Sequence, residues 1–176
     1  MGKAVLEDAL QAWAKAASGV EAVWVRQKLK STPPYLSLLL QGPKTLSGTP
    51  ERWHTYDAQA PAGQEITHAY RDNEEWVLQV QAYTPKTVGD DEASALLKKL
   101  KDSLKLDGTV ATLRASGISV IEVGDIQNVS VVIETEWQGR AAVALRLHTA
   151  DVSTETSTFV ETVDGTGEDD LAGITI

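Results

Sequence analysis

From Arg140 to His148 the chain alternates without a break. Ala141, Val143, Leu145 and Leu147 fall on one face of an extended segment, and Arg140, Ala142, Ala144, Arg146 and His148 on the other. Period-two patterning of this kind commits the segment to a half-buried strand, and so commits the chain to a sheet with one apolar face. Glu136-Trp137-Gln138-Gly139 leads into it, and Asp151-Val152-Ser153-Thr154-Glu155-Thr156-Ser157-Thr158 follows, with no lysine or arginine from there on. A strand that passes into an acidic, hydroxyl-rich segment suits a protein that touches neighbours better than one arranged around a catalytic centre.

The rest of the pattern supplies the partners of that strand. Leu6, Ala9, Leu10, Trp13 and Ala17 recur at three- and four-residue steps, which predicts a helix over 3–17 closed by Gly19. Gly19 to Lys28 predicts a strand, with Val20, Ala22 and Trp24 opposite Val23 and Val25. Ser31-Thr32-Pro33-Pro34 breaks it. Tyr35 to Leu40 is a second strand, apolar enough for the interior of a sheet. Residues 42–64 are rich in Gly, Pro and polar groups and read as a loop. Glu65–Arg71 and Glu75–Tyr83 predict a hairpin turning at Asp72-Asn73, with Trp76, Leu78, Val80 and Ala82 on one face of its second arm.

Residues 90–105 predict a second helix. Asp90, Asp91 and Glu92 open it and Lys98, Lys99, Lys101 and Lys105 crowd its end, a polarity that complements the helix dipole. Leu96, Leu97, Leu100 and Leu104 form its apolar stripe. Asp107-Gly108 ends it, and Thr109 to Ser116 is a short third helix capped by Gly117. Ile118–Val123, Asn128–Glu134 and Thr158–Val163 add further strands. No internal repeat or linker divides the chain. The expectation is α+β: a single domain over residues 1–163, with a largely antiparallel mixed sheet and two to three helices packed on one face. Residues 164–176 are expected to be a flexible acidic tail.

Composition limits the function. At 176 residues and 42% hydrophobic content, the chain has the make-up of an ordinary folded domain. It has no cysteine, which excludes disulfides, thiolate metal sites and cysteine nucleophiles, and fits a reducing cytoplasm. No apolar run approaches the roughly 20 residues that cross a bilayer, and the early acids Glu7 and Asp8 are unlike a signal peptide. From Thr149 onward Asp151, Glu155, Glu161, Asp164, Glu168, Asp169 and Asp170 stand without a base, so seven of the nine net negative charges lie there. That balance argues against specific nucleic-acid binding, which needs a basic patch to release counterions.

A search for chemistry finds no site. His54, His68 and His148 are separated from one another and from any metal-ligand spacing. There is no G-x-S-x-G elbow, P-loop or dinucleotide fingerprint. Asp164-Gly165-Thr166-Gly167-Glu168-Asp169-Asp170 is a faint calcium-loop pattern without the alternating ligands or distal glutamate. Glu134 and Glu136 would share a strand face, but nothing nearby splits their pKa values into acid and base. The reading is of no enzyme, with no catalytic, metal-binding or cofactor-binding residue.

Surface contacts are the alternative. Five tryptophans stand beside a single phenylalanine. Trp13, Trp24 and Trp76 fall in regular elements and belong to the core. Trp53 and Trp137 fall in loop or turn positions, where a tryptophan either packs on its own core or marks an interface. With Arg140, Asp151 and Glu155 they make up the candidate interface residues.

At Trp137-Gln138-Gly139-Arg140-Ala141, and later at Thr158-Phe159-Val160-Glu161-Thr162-Val163, the chain resembles the phage neck (tail) terminator family. The order of elements over residues 3–163 is similar: a first helix, two strands, a hairpin, a helix pair, and a closing β unit introduced by an aromatic-x-x-Arg-Ala pattern. The resemblance implies a structural virion protein, assembled in the host cytoplasm. It implies a homohexameric ring that caps the completed tail tube, and the sheath where there is one, and meets the head-side neck protein. It implies no cofactor and no membrane, and DNA passes through the lumen without specific binding. The alternatives are another tail component, such as a tube or tail-completion protein, and a soluble module that binds a ligand or peptide.

Overall fold

A computed structural model of the chain describes residues 2–27, 32–46, 51–57, 59–60, 66–85, 91–133 and 136–157. The helices are α1 (Lys3–Ser18), α2 (Asp91–Ser103) and α3 (Asp107–Ala115). The strands are β1 (Glu21–Trp24), β2 (Tyr35–Thr45), β3 (Glu51–Tyr56), β4 (Ile66–Tyr83), β5 (Ile118–Val123), β6 (Gln127–Asn128), β7 (Val131–Ile133), β8 (Glu136–Gln138) and β9 (Arg140–Ser157). The main sheet runs β1-β2-β4-β9-β5, with β3 on β4 and β6 on β9, while β7 and β8 pair separately. Of the recorded pairings, β1 with β2 is parallel and the others are antiparallel. This is the expected α+β fold.

The chain divides into two compact units, residues 1–51 with 71–152, and residues 52–70 with 153–176. The first holds the core. Leu36, Leu38 and Leu40 of β2, Trp76, Leu78, Val80 and Ala82 of β4, and Ala141, Val143, Leu145 and Leu147 of β9 are all buried. They form one cluster with Leu6, Leu10 and Trp13 of α1, Leu97 and Leu100 of α2, and Leu113 of α3. Strict alternation puts every second strand residue into this cluster, so the helices cover the face the pattern marked. Trp13, Trp24 and Trp76 are buried, as expected. Gly19 closes α1 at a left-handed φ of 75°, its N–H donating to the Lys15 carbonyl.

Several sequence expectations need correction. The strand expected over 19–28 is only β1, because the Gln27 side chain accepts from the Trp24 N–H while the Gln27 N–H donates to the Trp24 carbonyl, turning the chain. The expected loop 42–64 contains the end of β2 and all of β3. The expected hairpin is a single strand, β4. Its Glu74 and Glu75 pair with Thr45 and Lys44 of the lengthened β2, and the Leu46 N–H donates to the Asn73 carbonyl. The bond from Leu46 to Asn73 outweighs the turn preference of Asp72-Asn73. The lengthening of β2 depends on a register shift between Gln41 and Lys44. There Gly42 takes φ 125°, and a Cβ would stand 3.0 Å from the Glu75 carbonyl oxygen.

Downstream, Asp107 opens α3 rather than closing α2. The segment 128–134 divides into β6 and β7, because the Asn128 side chain accepts from the Ser130 N–H and turns the backbone between them. β9 continues past Thr149 to Ser157. The expected strand Thr158–Val163, Glu134, and the tail 164–176 with its calcium-like pattern lie outside the described residues.

Candidate functional site

In the first unit the face of the sheet away from the helices carries a polar and aromatic cluster. It is built from the first residue of β2, the last residues of β4 and the start of β9. Register places Tyr35 opposite Tyr83, and their rings stack with centroids 4.8 Å apart and planes 9° from parallel. The Arg140 guanidinium lies 4.9 Å from the Tyr83 ring centroid, a cation over a π face. Its Nε and Nη2 both donate to Gln138 Oε1, at 3.1 and 2.7 Å. The Tyr83 hydroxyl donates to Gln81 Oε1 at 2.9 Å. Burial, with a smaller contribution from neighbouring Tyr83, pushes the Tyr35 hydroxyl pKa up.

The backbone beneath the cluster is fixed as firmly. The Arg140 N–H donates to Ser130 Oγ, and Ser130 Oγ donates to the Arg140 carbonyl. The Thr84 N–H and hydroxyl both donate to the Gly139 carbonyl, and a Cβ on Gly139 would collide with Thr84 Oγ1. Gly139, between β8 and β9, is therefore a close approach to the residue just past β4, and it sets where β9 begins. Arg140 is half-buried, and its guanidinium ties Gln138 of β8 and Tyr83 of β4 to the start of β9.

A charged ladder lies further along the same strands. Arg146 of β9 bridges Glu75 of β4 at 2.7 Å and Glu122 of β5 at 3.0 Å. Hydrogen bonding from Arg146 holds the Glu75 carboxyl below the usual carboxylate range. His148 Nε2 lies 3.7 Å from the same carboxylate.

The second unit has a different surface. All six residues of β3 are exposed, with Trp53 at 44% and Tyr56 at 59%. The Arg52 guanidinium lies 5.4 Å from the Tyr70 ring centroid. The His54 and His68 rings are 6.4 Å apart, and His68 Nε2 lies 2.9 Å from Ser157 Oγ. Glu155 is exposed on the last part of β9.

The five candidate interface residues are distributed over both units. Trp53 and Glu155 lie in the second unit and Arg140 in the first, where Trp137 sits on β8 opposite Val132 and Asp151 on β9. Trp53 is on a strand rather than in a loop. Sequence reading missed Tyr35 and Tyr83, whose partnership with Arg140 depends on strand register across more than a hundred residues. Among the described residues no three His, Asp or Glu side chains converge as a metal site would require.

A family model described as phage neck terminator protein matches residues 4–170 of the chain. No curated protein matches it.

Proposed function

The chain belongs to the phage neck terminator family, and from that premise we propose that it forms a homohexameric ring that caps the completed tail tube and joins it to the head-side neck. The family is structural, and this chain is a tail and neck component of the virion. Trp53, Trp137, Arg140, Asp151 and Glu155 remain its candidate interface residues.

The exposed strand β3 is the observation that carries the reading. A strand with every side chain open, holding a tryptophan and a tyrosine, is a poor surface for a solitary protein and a good one for a partner. A closed ring also needs two different surfaces that meet head to tail. Exposed aromatics on one and the edge of a sheet on another supply such a pair. The acidic balance of the chain suits a lumen through which DNA passes without adhering.

Light scattering on the purified protein tests the ring, and micrographs of the protein mixed with tail tubes test the cap. The reading expects particles six subunits in mass, seated at one end of each tube. Rings that stack into long tubes unaided would favour a tube protein. A monomer that gains thermal stability from one small ligand would favour a binding module.

A further inference from the structure

We propose that His54 and His68 form a two-imidazole site for a divalent transition-metal ion of the zinc, nickel and copper class. The site goes beyond the ring reading and does not depend on it.

The two residues belong to strands that pair, β3 and β4. Their rings face each other with centroids 6.4 Å apart and planes 51° from parallel. Two imidazole nitrogens that each hold one ion at about 2.1 Å bring their ring centroids to about 5–6 Å, so the pair is about 1 Å from a chelating geometry. His54 is exposed, like every residue of β3, and its ring makes no hydrogen bond among the described residues. Nothing holds that ring back, and a small change of side-chain torsion closes the gap.

His68 is already oriented. It is half-buried, and its Nε2 lies at hydrogen-bond distance, 2.9 Å, from Ser157 Oγ of β9. Metal-binding histidines are held in this way through the ring nitrogen that does not touch the ion. With Nε2 engaged, Nδ1 is the donor left for the metal. His54, His68 and Ser157 all lie in the second unit.

The donor set selects the ion. Among the described residues no carboxylate or third histidine joins the pair. Arg52, two residues before His54 on β3, places a positive charge over the Tyr70 ring. Mg2+ and Ca2+ need oxygen ligands, and this face gives them none. Neutral imidazole nitrogen suits zinc, nickel and copper. Structural and catalytic centres take three or four protein ligands, so two imidazoles make an exchangeable site in which water fills the other positions. The bound ion links β3 to β4 and so steadies the strand that carries Trp53.

The full chain, purified without a histidine tag, is titrated with Zn2+ by calorimetry and with Cu2+ by electron paramagnetic resonance. One ion per chain is expected, with the copper signal split by two imidazole nitrogens. His54→Gln and His68→Gln are each expected to weaken binding at least tenfold. His148→Gln, in the first unit, is expected to leave it unchanged, and Mg2+ is expected not to bind. Zn2+ is also expected to raise the Tm of the parent chain and of neither glutamine variant at positions 54 and 68. The nitrogen count is read on the parent, so it decides the question even where a variant folds poorly. Splitting by a single nitrogen would mean an adventitious ion only and would overturn the proposal. So would one ion shared between two chains, an equal loss with His148→Gln, or no binding up to about 1 mM metal.

Discussion

Arg140 shows how one side chain serves the fold before any interface. Its fork is satisfied by Gln138 and its charge rests on Tyr83, so removing it takes a contact from β8 and from β4 at once. Arg140→Ala is expected to cost about 1–2 kcal/mol in urea unfolding, and Arg140→Lys less, since lysine keeps the cation but not the fork. A variant as stable as the parent would mean that the side chain acts only between subunits. The contact at Gly139 gives a paired prediction. Gly139→Ala is expected to cost about 1–3 kcal/mol by overpacking, and less when Thr84→Ala has already removed the hydroxyl it would strike. Strict additivity across that double-mutant cycle would contradict the assigned contact.

Glu75 belongs to the same scale. Its pKa is depressed by Arg146, so the pair contributes stability above the unfolded value near 4.3 and loses it as pH falls through the lower folded value. Arg146→Met is therefore expected to flatten the acid limb of a stability–pH curve below about pH 4.3. An acid limb of unchanged steepness would show that the pair carries no linkage.

At the scale of elements, legibility followed burial. α1, α2 and the buried halves of β2, β4 and β9 were readable because each shows one clean period to one core. Leu145, 1% exposed in the middle of β9, is the sharpest instance. Leu145→Ala is expected to cost about 2–5 kcal/mol, measured by urea or thermal unfolding, and a loss under 1 kcal/mol would place the core elsewhere. The failures all occur where no core imposes a period. β3 is exposed throughout and has no apolar face to announce it. Gly42-Pro43 reads as a strand breaker, yet the chain uses it as a bulge that carries β2 on to Thr45. Asp72-Asn73 reads as a turn because its ladder partner lies about thirty residues earlier, beyond that bulge. The candidate site was legible in the same proportion: Arg140 stood out through its motif, while Tyr35 and Tyr83 became visible only once register was known.

For the whole molecule, the proposed ring assigns folding to the buried core and contacts to the exposed surfaces. Trp53→Ala is expected to change subunit stability by less than about 0.5 kcal/mol, since the side chain is 44% exposed. The same change is expected to weaken binding to tail tubes at least tenfold in a co-sedimentation titration. A variant that binds tubes normally would remove β3 from the interface. The family match reaches residue 170, past the end of β9 at Ser157.

The cap itself is tested most directly by cryo-electron microscopy of tail tubes assembled without this protein and then mixed with it. The account predicts a single six-fold ring at one end of each tube and no further growth there. Bare tube ends beside a monomeric protein, or density spread along the tube wall, would contradict it.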